Sequence, residues 1–100
     1  MADINRNYEG TVVVDSPVTL DVIDGSASPG SVYYDLNMYQ FDMTGAGALE
    51  IETKTRGQSA FNSQGTFSGE TVNLDMIGLA QIKLTASGSN VPTTIKAIKS

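Results

Sequence analysis

The sequence predicts an all-β protein, a single antiparallel β-sandwich of about eight short strands. Turn residues recur at short intervals along the 100-residue chain. The runs between them are rich in Val, Ile, Thr and Tyr, and their apolar and polar residues alternate with a period of two, which is typical of half-buried strands. No segment shows two turns of an amphipathic helix. Because parallel strands need crossover connections that are usually helical, we expect antiparallel strands.

The chain is long enough for one domain with a modest core. We expect an N-terminal arm, residues 1–9, and a β-sandwich domain, residues 10–100. Between the strands, Pro, Gly, Asn, Asp and Ser supply the turns. The expected strands lie near residues 10–15, 17–23, 32–43, 47–56, 59–67, 70–77, 80–87 and 92–99.

Two of these runs show the alternation most clearly. Val18, Leu20 and Val22 fall on one face of the second expected strand. In the fourth strand, one face is apolar apart from a threonine and the other is charged. The two sets are Leu49, Ile51 and Thr53, and Glu50, Glu52, Lys54 and Arg56. We expect the charged set to face solvent and the first set to face the core.

The segment ETVNLDMIGLAQIKLTASGS, residues 70–89, reads as two strands with a break between them. Its core-facing residues would be Val72, Leu74, Met76, Ile82, Leu84 and Ala86. A two-residue hairpin loop at Gly78 and Leu79 would place Leu74 opposite Lys83, and we reject this register because it sets polar against apolar side chains. A three-residue loop would keep the faces but lacks the usual glycine at its last position. We favour a corner, at which Gly78 lets the chain bend and cross to the second sheet.

The expected strand VYYDLNMYQFDM, residues 32–43, is apolar at places on both faces. One face would carry Val32, Tyr34, Leu36 and Met38, and the other would carry Tyr33, Tyr39, Phe41 and Met43. A bulge near Met38 and Tyr39 would explain this pattern, because one extra residue reverses the phase. The alternative is a second buried face formed with another chain.

Six residues are predicted to form a partner interface. Core packing is the competing interpretation for each aromatic residue, because aromatic side chains dominate core burial. An exposed aromatic row on residues 32–43 would instead suit a protein interface, in which tyrosine is enriched. The N-terminal arm would order on a partner by adding a strand to an exposed sheet edge. The predicted interface residues are Ile4, Arg6, Tyr8, Tyr33, Tyr39 and Phe41.

Composition excludes several classes of function. The net charge is −5 and the 6 basic residues are scattered, so no nucleic-acid partner is expected. The chain has no cysteine and no histidine, which excludes disulfides, thiolate metal sites and catalytic triads. No apolar run is long enough for a membrane span, and the segment MADINRNYEG has no apolar run of the kind that a signal peptide carries. Neither a membrane partner nor a signal peptide is expected.

Carboxylates are the remaining candidates for chemistry. Glu50 and Glu52 lie on one face of a strand, about 7 Å apart at the backbone. They fit a solvated face better than a catalytic pair, which needs a cleft and a raised pKa. Asp21 and Asp24 could supply oxygen ligands to calcium, but an aspartate before a glycine is more often part of a turn. The sequence therefore predicts neither an enzyme nor a cofactor.

The C-terminal part of the chain resembles a recurring pattern in small virion proteins of tailed bacteriophages. In that pattern a strand leads to Gly-Leu, two spacers, a strand of alternating apolar and basic residues, a small-residue turn and a last strand. The corresponding stretches here are Gly78-Leu79, Ile82-Lys83-Leu84, Ser87-Gly88-Ser89 and TTIKAIKS. Upstream, YQFDMTGAGALEIETKTRG is similar to the family's strand, turn, strand and turn, so the resemblance covers about residues 33–100. The family often has an aromatic residue and an arginine where this chain has Val72 and Lys83, so no ligand role is carried over to these two.

The resemblance implies a jelly-roll sandwich with a structural role at the virion surface. The expected function is capsid decoration. In this role a non-enzymatic (cement) protein, made in the host cytoplasm, binds the phage major capsid (coat) protein on the assembled shell. Self-association as a homotrimer is expected, because virion surfaces offer threefold sites and homo-oligomers close by rotation.

The alternative function is that of a carbohydrate-binding β-sandwich module in a phage adsorption apparatus, on a fibre or baseplate. Its loops, such as residues 24–31 and 57–66, would hold the sugar. The chain has no tryptophan, the commonest platform for sugar rings, and this absence favours the decoration hypothesis.

Overall fold

The structure, a computed structural model, describes residues 2–4, 7–22, 38–76 and 78–98. It confirms the predicted all-β sandwich, and the described residues contain no helix. The described residues form nine strands, whereas about eight were expected. They are β1 (Ala2–Ile4), β2 (Asn7–Val12), β3 (Val18–Val22), β4 (Met38–Met43), β5 (Ala48–Thr55), β6 (Asn62–Phe67), β7 (Thr71–Asp75), β8 (Leu79–Ser87) and β9 (Val91–Ile98).

The strands form two sheets with a jelly-roll topology. The four-stranded sheet has the order β2-β9-β4-β7, and the five-stranded sheet has the order β1-β3-β8-β5-β6. The eight strands from β2 to β9 can be counted from 1 to 8 along the chain. In this count, strands 1, 8, 3 and 6 form one sheet, and strands 2, 7, 4 and 5 form the other. This is the strand order of a jelly roll. Among the described strands, β5 and β6 are the one consecutive pair that is hydrogen-bonded, so the other connections pass between the sheets.

The N-terminal segment departs from the prediction of an arm that precedes the domain. The strand β1 pairs in parallel with β3, with Ala2 opposite Leu20, whereas every other strand pair described is antiparallel. This parallel pair needs no helix, because β2 in the opposite sheet provides the crossover connection. The strand β2 pairs with β9 along its whole length, starting at Asn7 opposite Lys96. Residues 7–9 therefore lie within the sandwich, and the predicted boundary after residue 9 falls inside a strand.

The core confirms the predicted alternation in both sheets. In β5 the apolar face and Thr53 are buried, whereas Glu50, Glu52 and Lys54 are partly exposed. In β3, Leu20 is buried, and Val18 and Val22 pack against the core. The buried apolar residues are Val12, Leu20, Tyr39, Phe41, Met43, Leu49, Ile51, Leu79, Ile82, Leu84, Ala86, Val91 and Ile95. Burying these residues between two sheets is the main favourable contribution to stability.

The corner predicted between the strands of residues 70–89 is confirmed. The strand β7 pairs with β4 in the four-stranded sheet, and β8 pairs with β3 and β5 in the other. Gly78 has a φ of 72°, a left-handed conformation that glycine adopts without a steric penalty. Its carbonyl oxygen accepts a hydrogen bond from the Arg56 N–H at 2.9 Å, which fixes the corner to the end of β5.

The segment of residues 32–43 is described only from Met38 onward. In β4, Tyr39, Phe41 and Met43 are buried, so one of the two predicted apolar faces is confirmed as a core face. The other face, and the choice between a bulge and a second buried face, depend on residues 32–37, which lie outside the described residues.

Two buried threonines find hydrogen-bond partners for their hydroxyl groups. Thr93 Oγ1 donates to the Val91 carbonyl oxygen at 3.0 Å. Thr53 Oγ1 accepts from Gln64 Nε2 at 3.0 Å and lies 3.9 Å from the Met76 sulfur. Because a buried hydroxyl without a partner would be costly, these bonds make the two threonines compatible with the core.

Candidate binding surfaces

Burial overturns part of the predicted interface. Tyr39 is 2% exposed and Phe41 is 0% exposed, so both side chains lie in the core and neither is available to a partner. The prediction that they form an exposed aromatic row was wrong, because the alternation of β4 turns them inward. Tyr8 is half-buried and packs against the core from β2. Ile4 lies in β1, but its side chain is outside the described part, as are Arg6 and Tyr33.

The outer face of the four-stranded sheet contains a shallow cavity, which we call the trough. Its volume is about 330 Å³. The residues that line it come from the adjacent strands β2, β9 and β4 and from the chain just after β4. They are Glu9, Gly10, Thr11, Asp42, Thr44, Pro92, Thr93 and Thr94.

The register of the strands explains the shape of the trough. Glu9 lies opposite Thr94, and Thr94 lies opposite Asp42, so the three residues form one row across the sheet. Their neighbours on each strand are core residues or face the core, so all three point outward. Within the trough, the middle strand β9 carries the short side chains of Thr94 and Pro92 between the carboxylates of the strands beside it. Lys96, the next outward residue of β9, is exposed and lies outside the lining. The trough therefore follows β9 and has a carboxylate on each side.

One of these carboxylates has a fixed orientation. The Thr71 hydroxyl, on the edge strand β7, donates a hydrogen bond to Asp42 Oδ1 at 2.6 Å. The two residues are in register across the β4–β7 pair. Such a short bond to a charged acceptor holds the carboxylate in one rotamer. The second oxygen of Asp42 is left to interact with solvent or a ligand.

The outer face of the five-stranded sheet presents an aromatic ring between two lysines. Lys54 Nζ lies 5.1 Å and Lys83 Nζ lies 5.8 Å from the centroid of the Phe61 ring. Phe61 is half-buried just before β6 and belongs to no part of the core cluster. Distances below about 6 Å are typical of cation–π contacts, so the ring binds both lysine side chains to the sheet surface.

The carboxylates of this second face lie opposite a lysine or accept hydrogen bonds from neutral side chains. Glu52 lies opposite Lys83 in the β5–β8 register. Glu50 Oε2 accepts a hydrogen bond from the Ser63 hydroxyl at 3.2 Å. Asp21 Oδ1 accepts one from Gln81 Nε2 at 2.9 Å. The face is thus the solvated, mixed-charge surface that the alternation predicts, and its carboxylates lie on an open sheet face.

A second cavity lies in the connection between β5 and β6. Its volume is about 320 Å³, and Gly57, Gln58, Ser59, Ala60 and Asn62 line it. Gln58 Oε1 accepts hydrogen bonds from the Thr55 N–H at 3.0 Å and from Asn62 Nδ2 at 3.2 Å. This side chain therefore links the two ends of the loop, which falls within one of the segments predicted to hold a sugar.

The described residues also bear on the metal and membrane expectations. Within the described ranges, no group of three or more His, Cys, Asp or Glu side chains is placed to hold a metal ion. Of the calcium ligands considered above, Asp21 lies in β3, whereas Asp24 and Gly25 lie outside the described residues. No helix in the described part is long and apolar enough to span a membrane.

Sequence reasoning missed the residues of the trough and the Phe61 contact. Alternation alone places Glu9, Asp42 and Thr94 on solvent-facing positions, but it does not say which strands are neighbours. The jelly-roll order brings β2 and β4 to the two sides of β9 from distant parts of the sequence.

No family model, no curated protein and no solved structure matches the chain.

Proposed function

We propose that the chain is a non-enzymatic structural protein of a phage virion that decorates the assembled capsid shell. The observation that carries the proposal is the jelly-roll order of the two sheets, an architecture found in viral capsid domains as well as in lectins. Because a fold does not by itself define a function, the proposal also uses the sequence resemblance described above. The strand, corner and strand of that resemblance correspond to β7, the turn at Gly78, and β8.

Decoration would act through contact area alone. A protein that binds the assembled shell and not the free coat subunits favours assembly by mass action. The described surface offers two features of a kind that such contacts use. One is the half-buried ring of Phe61, which two lysines flank, since aromatic side chains are enriched at interfaces. The other is the edge strand β7, which pairs with β4 on one side and has no partner strand on the other among the described residues.

The partner in this proposal is the major coat protein of the shell, and the chain would bind as a homotrimer on the capsid surface. Threefold axes of a shell present three equivalent copies of one coat surface, so a trimer can bind all three at once. Linking three weak contacts in this way raises the overall affinity without any new type of contact.

Co-sedimentation tests the proposal. Shells are assembled from the coat protein encoded in the same genome, mixed with an excess of the chain and separated on a density gradient. We expect the chain to move with the shells at a fixed ratio to coat subunits and to raise the temperature at which the shells fall apart. A chain that stays at the top of the gradient at every ratio would exclude decoration.

A second candidate function is carbohydrate binding as part of an adsorption apparatus. The observation that favours it is the trough, in which hydroxyl and carboxylate groups line a cavity on a sheet face. A glycan array screened with the isolated chain tests this function. Specific retention of a sugar supports it, and retention of none excludes it.

A further inference from the structure

We propose that the trough binds one ring of a neutral pyranose sugar, oriented by Glu9 and Asp42. The inference rests on the second candidate function and gives it a site, on a sheet face and not in the loops where the sequence suggested it. It does not depend on decoration, because a protein that stabilises a shell by contact needs no small ligand.

The size of the trough fits a ligand of this kind. A volume of about 330 Å³ lies at the lower end of the range for small-molecule sites, which is roughly 300–1,000 Å³. The trough is bounded on both sides by side chains and opens to solvent. A single ring, or a terminal ring of a longer chain, can lie in it while the rest of the molecule extends into solvent.

The lining selects the class of ligand. Two carboxylates repel anions, and an apolar ligand would desolvate polar groups without replacing their hydrogen bonds. A bare calcium ion needs six to eight oxygen ligands, whereas the trough offers two carboxylates on opposite sides of Thr94. Sugar hydroxyls both donate and accept hydrogen bonds. They therefore match a lining in which carboxylates accept and the hydroxyls of Thr11, Thr44 and Thr94 do both.

Two of the groups in the trough are oriented before any ligand arrives. Asp42 is held by the Thr71 hydroxyl at 2.6 Å. The Thr44 N–H donates to the Pro92 carbonyl oxygen at 3.1 Å, which fixes the backbone at one end of the cavity. The exposed Pro92 ring gives an apolar contact for the C–H face of a sugar. Pre-orientation of this kind lowers the entropy cost of binding.

Glu9, on the other side, has an exposed side chain with no hydrogen bond or ion pair to any described residue. Its carboxylate is therefore an acceptor that a ligand can use without displacing a protein partner. Glu9 and Asp42 are separated by two strand spacings, about 9–10 Å at the backbone, so a ring can lie between them above Thr94.

The experiment is an NMR titration of the isotope-labelled, isolated chain. The probes are glucose, galactose, mannose and N-acetylglucosamine at millimolar concentrations, with glucuronic acid as the anionic counterpart and calcium chloride as the cation arm. We expect at least one neutral sugar to shift the amide signals of Glu9, Asp42 and Thr94. Glucuronic acid should bind more weakly than glucose if glucose binds, because its carboxylate meets two others.

Variants locate the binding. Thr94→Phe fills the trough from its middle strand and should weaken the binding at least tenfold, about 1.4 kcal/mol. Its control is Thr85→Phe, at an outward position of β8, an interior strand of the other sheet, which should leave the affinity unchanged. Asp42→Asn keeps the shape of the trough and removes one charge. The change in sugar affinity then measures the contribution of the Asp42 carboxylate, even if Thr94→Phe folds poorly.

The outcomes of this experiment distinguish the proposed site from the carbohydrate-binding function on which it rests. Sugar-induced shifts at residues 57–62 in place of the trough would overturn the site and leave carbohydrate binding in place. No shift with any sugar would overturn the site. Retention of a longer glycan on the array would then still support the second candidate function, and decoration would be unaffected in either case. Shifts in the trough with calcium chloride alone would show a cation site and overturn the proposal.

Discussion

Phe41 and Tyr39 show that the position of an aromatic residue in a strand, and not its residue type, decides its role. The enrichment of aromatic residues at interfaces favours a partner contact for both, and core packing is the competing interpretation. Alternation predicts that the two share one face. The structure buries that face completely. The choice between core and interface required knowing where the sheet lies in the molecule.

Substitution of Phe41 should therefore unfold the protein instead of dissociating it. We expect Phe41→Ala to lower the free energy of unfolding by about 3–5 kcal/mol, and Phe41→Glu to abolish folding because it buries an unpaired charge. Urea denaturation measures the first, and circular dichroism shows the second. Val13, which is 46% exposed, provides the control, and Val13→Ala should change stability by less than about 0.5 kcal/mol. A folded, monomeric Phe41→Glu variant would contradict the burial.

Adding a single methyl group at Gly47 should lower the stability of the protein. It is buried between β4 and β5, and a Cβ atom there would collide with the Ser89 carbonyl oxygen and lie 2.9 Å from Val91 Cγ2. Because the obstacle is backbone, the turn between β8 and β9 would have to move. We expect Gly47→Ala to cost about 1–3 kcal/mol in urea denaturation. The exposed neighbour Ala46 is the control, and equal stability of Gly47→Ala and Ala46→Ser would refute the close approach.

At the scale of elements, the corner at Gly78 was predictable because two facts in the sequence agreed. A two-residue hairpin would place the polar Lys83 opposite the apolar Leu74, and Gly78 lies where the chain has to turn. The sheet order was not predictable in the same way. Alternation assigns faces within each strand, but seven of the eight connections between described strands join strands that are not paired with each other. The sequence pattern within a single strand does not show which distant strand it pairs with.

The conformation of Gly78 gives a prediction that is free of packing effects. Its φ is +72°, and a Cβ atom there would meet nothing within 4 Å. Replacement by alanine should therefore cost only the left-handed conformation, about 1–2 kcal/mol. Asparagine tolerates this region better, so Gly78→Asn should cost less than Gly78→Ala. Urea denaturation of the two variants checks the order, and the reverse order would show that the corner is not left-handed.

The N-terminal strands give a second prediction at this scale. An arm outside the domain would contribute little to stability, so deleting residues 2–9 would then leave thermal unfolding nearly unchanged. In the structure, residues 7–9 pair with β9 and Tyr8 packs against the core. We now expect this deletion to lower stability by at least about 1 kcal/mol, or roughly 4–8 °C in Tm.

Deletion of residues 2–4 is the matched control for this experiment. It removes one short edge strand and leaves β2 intact, so it should change Tm much less. Calorimetry of the two truncated chains makes the comparison. Equal Tm values for the chain without residues 2–9 and the full chain would contradict this prediction and would indicate that these residues form an arm outside the domain.

At the scale of the whole molecule, the fold class and much of the core could be predicted, and the candidate sites could not. The period-two pattern identified which residues face inward, and turn residues marked most of the strand ends. The trough depends on β2, β9 and β4 lying side by side, and the Phe61 site depends on β5, β8 and the loop before β6. Both depend on which strands lie side by side, and the alternation within single strands does not determine this order.

A cryo-EM reconstruction tests most directly our proposal that this jelly roll decorates a phage shell. Shells of the coat protein from the same genome are imaged with and without an excess of the chain. We expect added density at symmetric surface sites, with three sandwiches around each threefold axis. Each sandwich should fit the strand orders β2-β9-β4-β7 and β1-β3-β8-β5-β6. A reconstruction identical to that of the bare shell, at concentrations where the chain exceeds the coat subunits, would contradict the proposal.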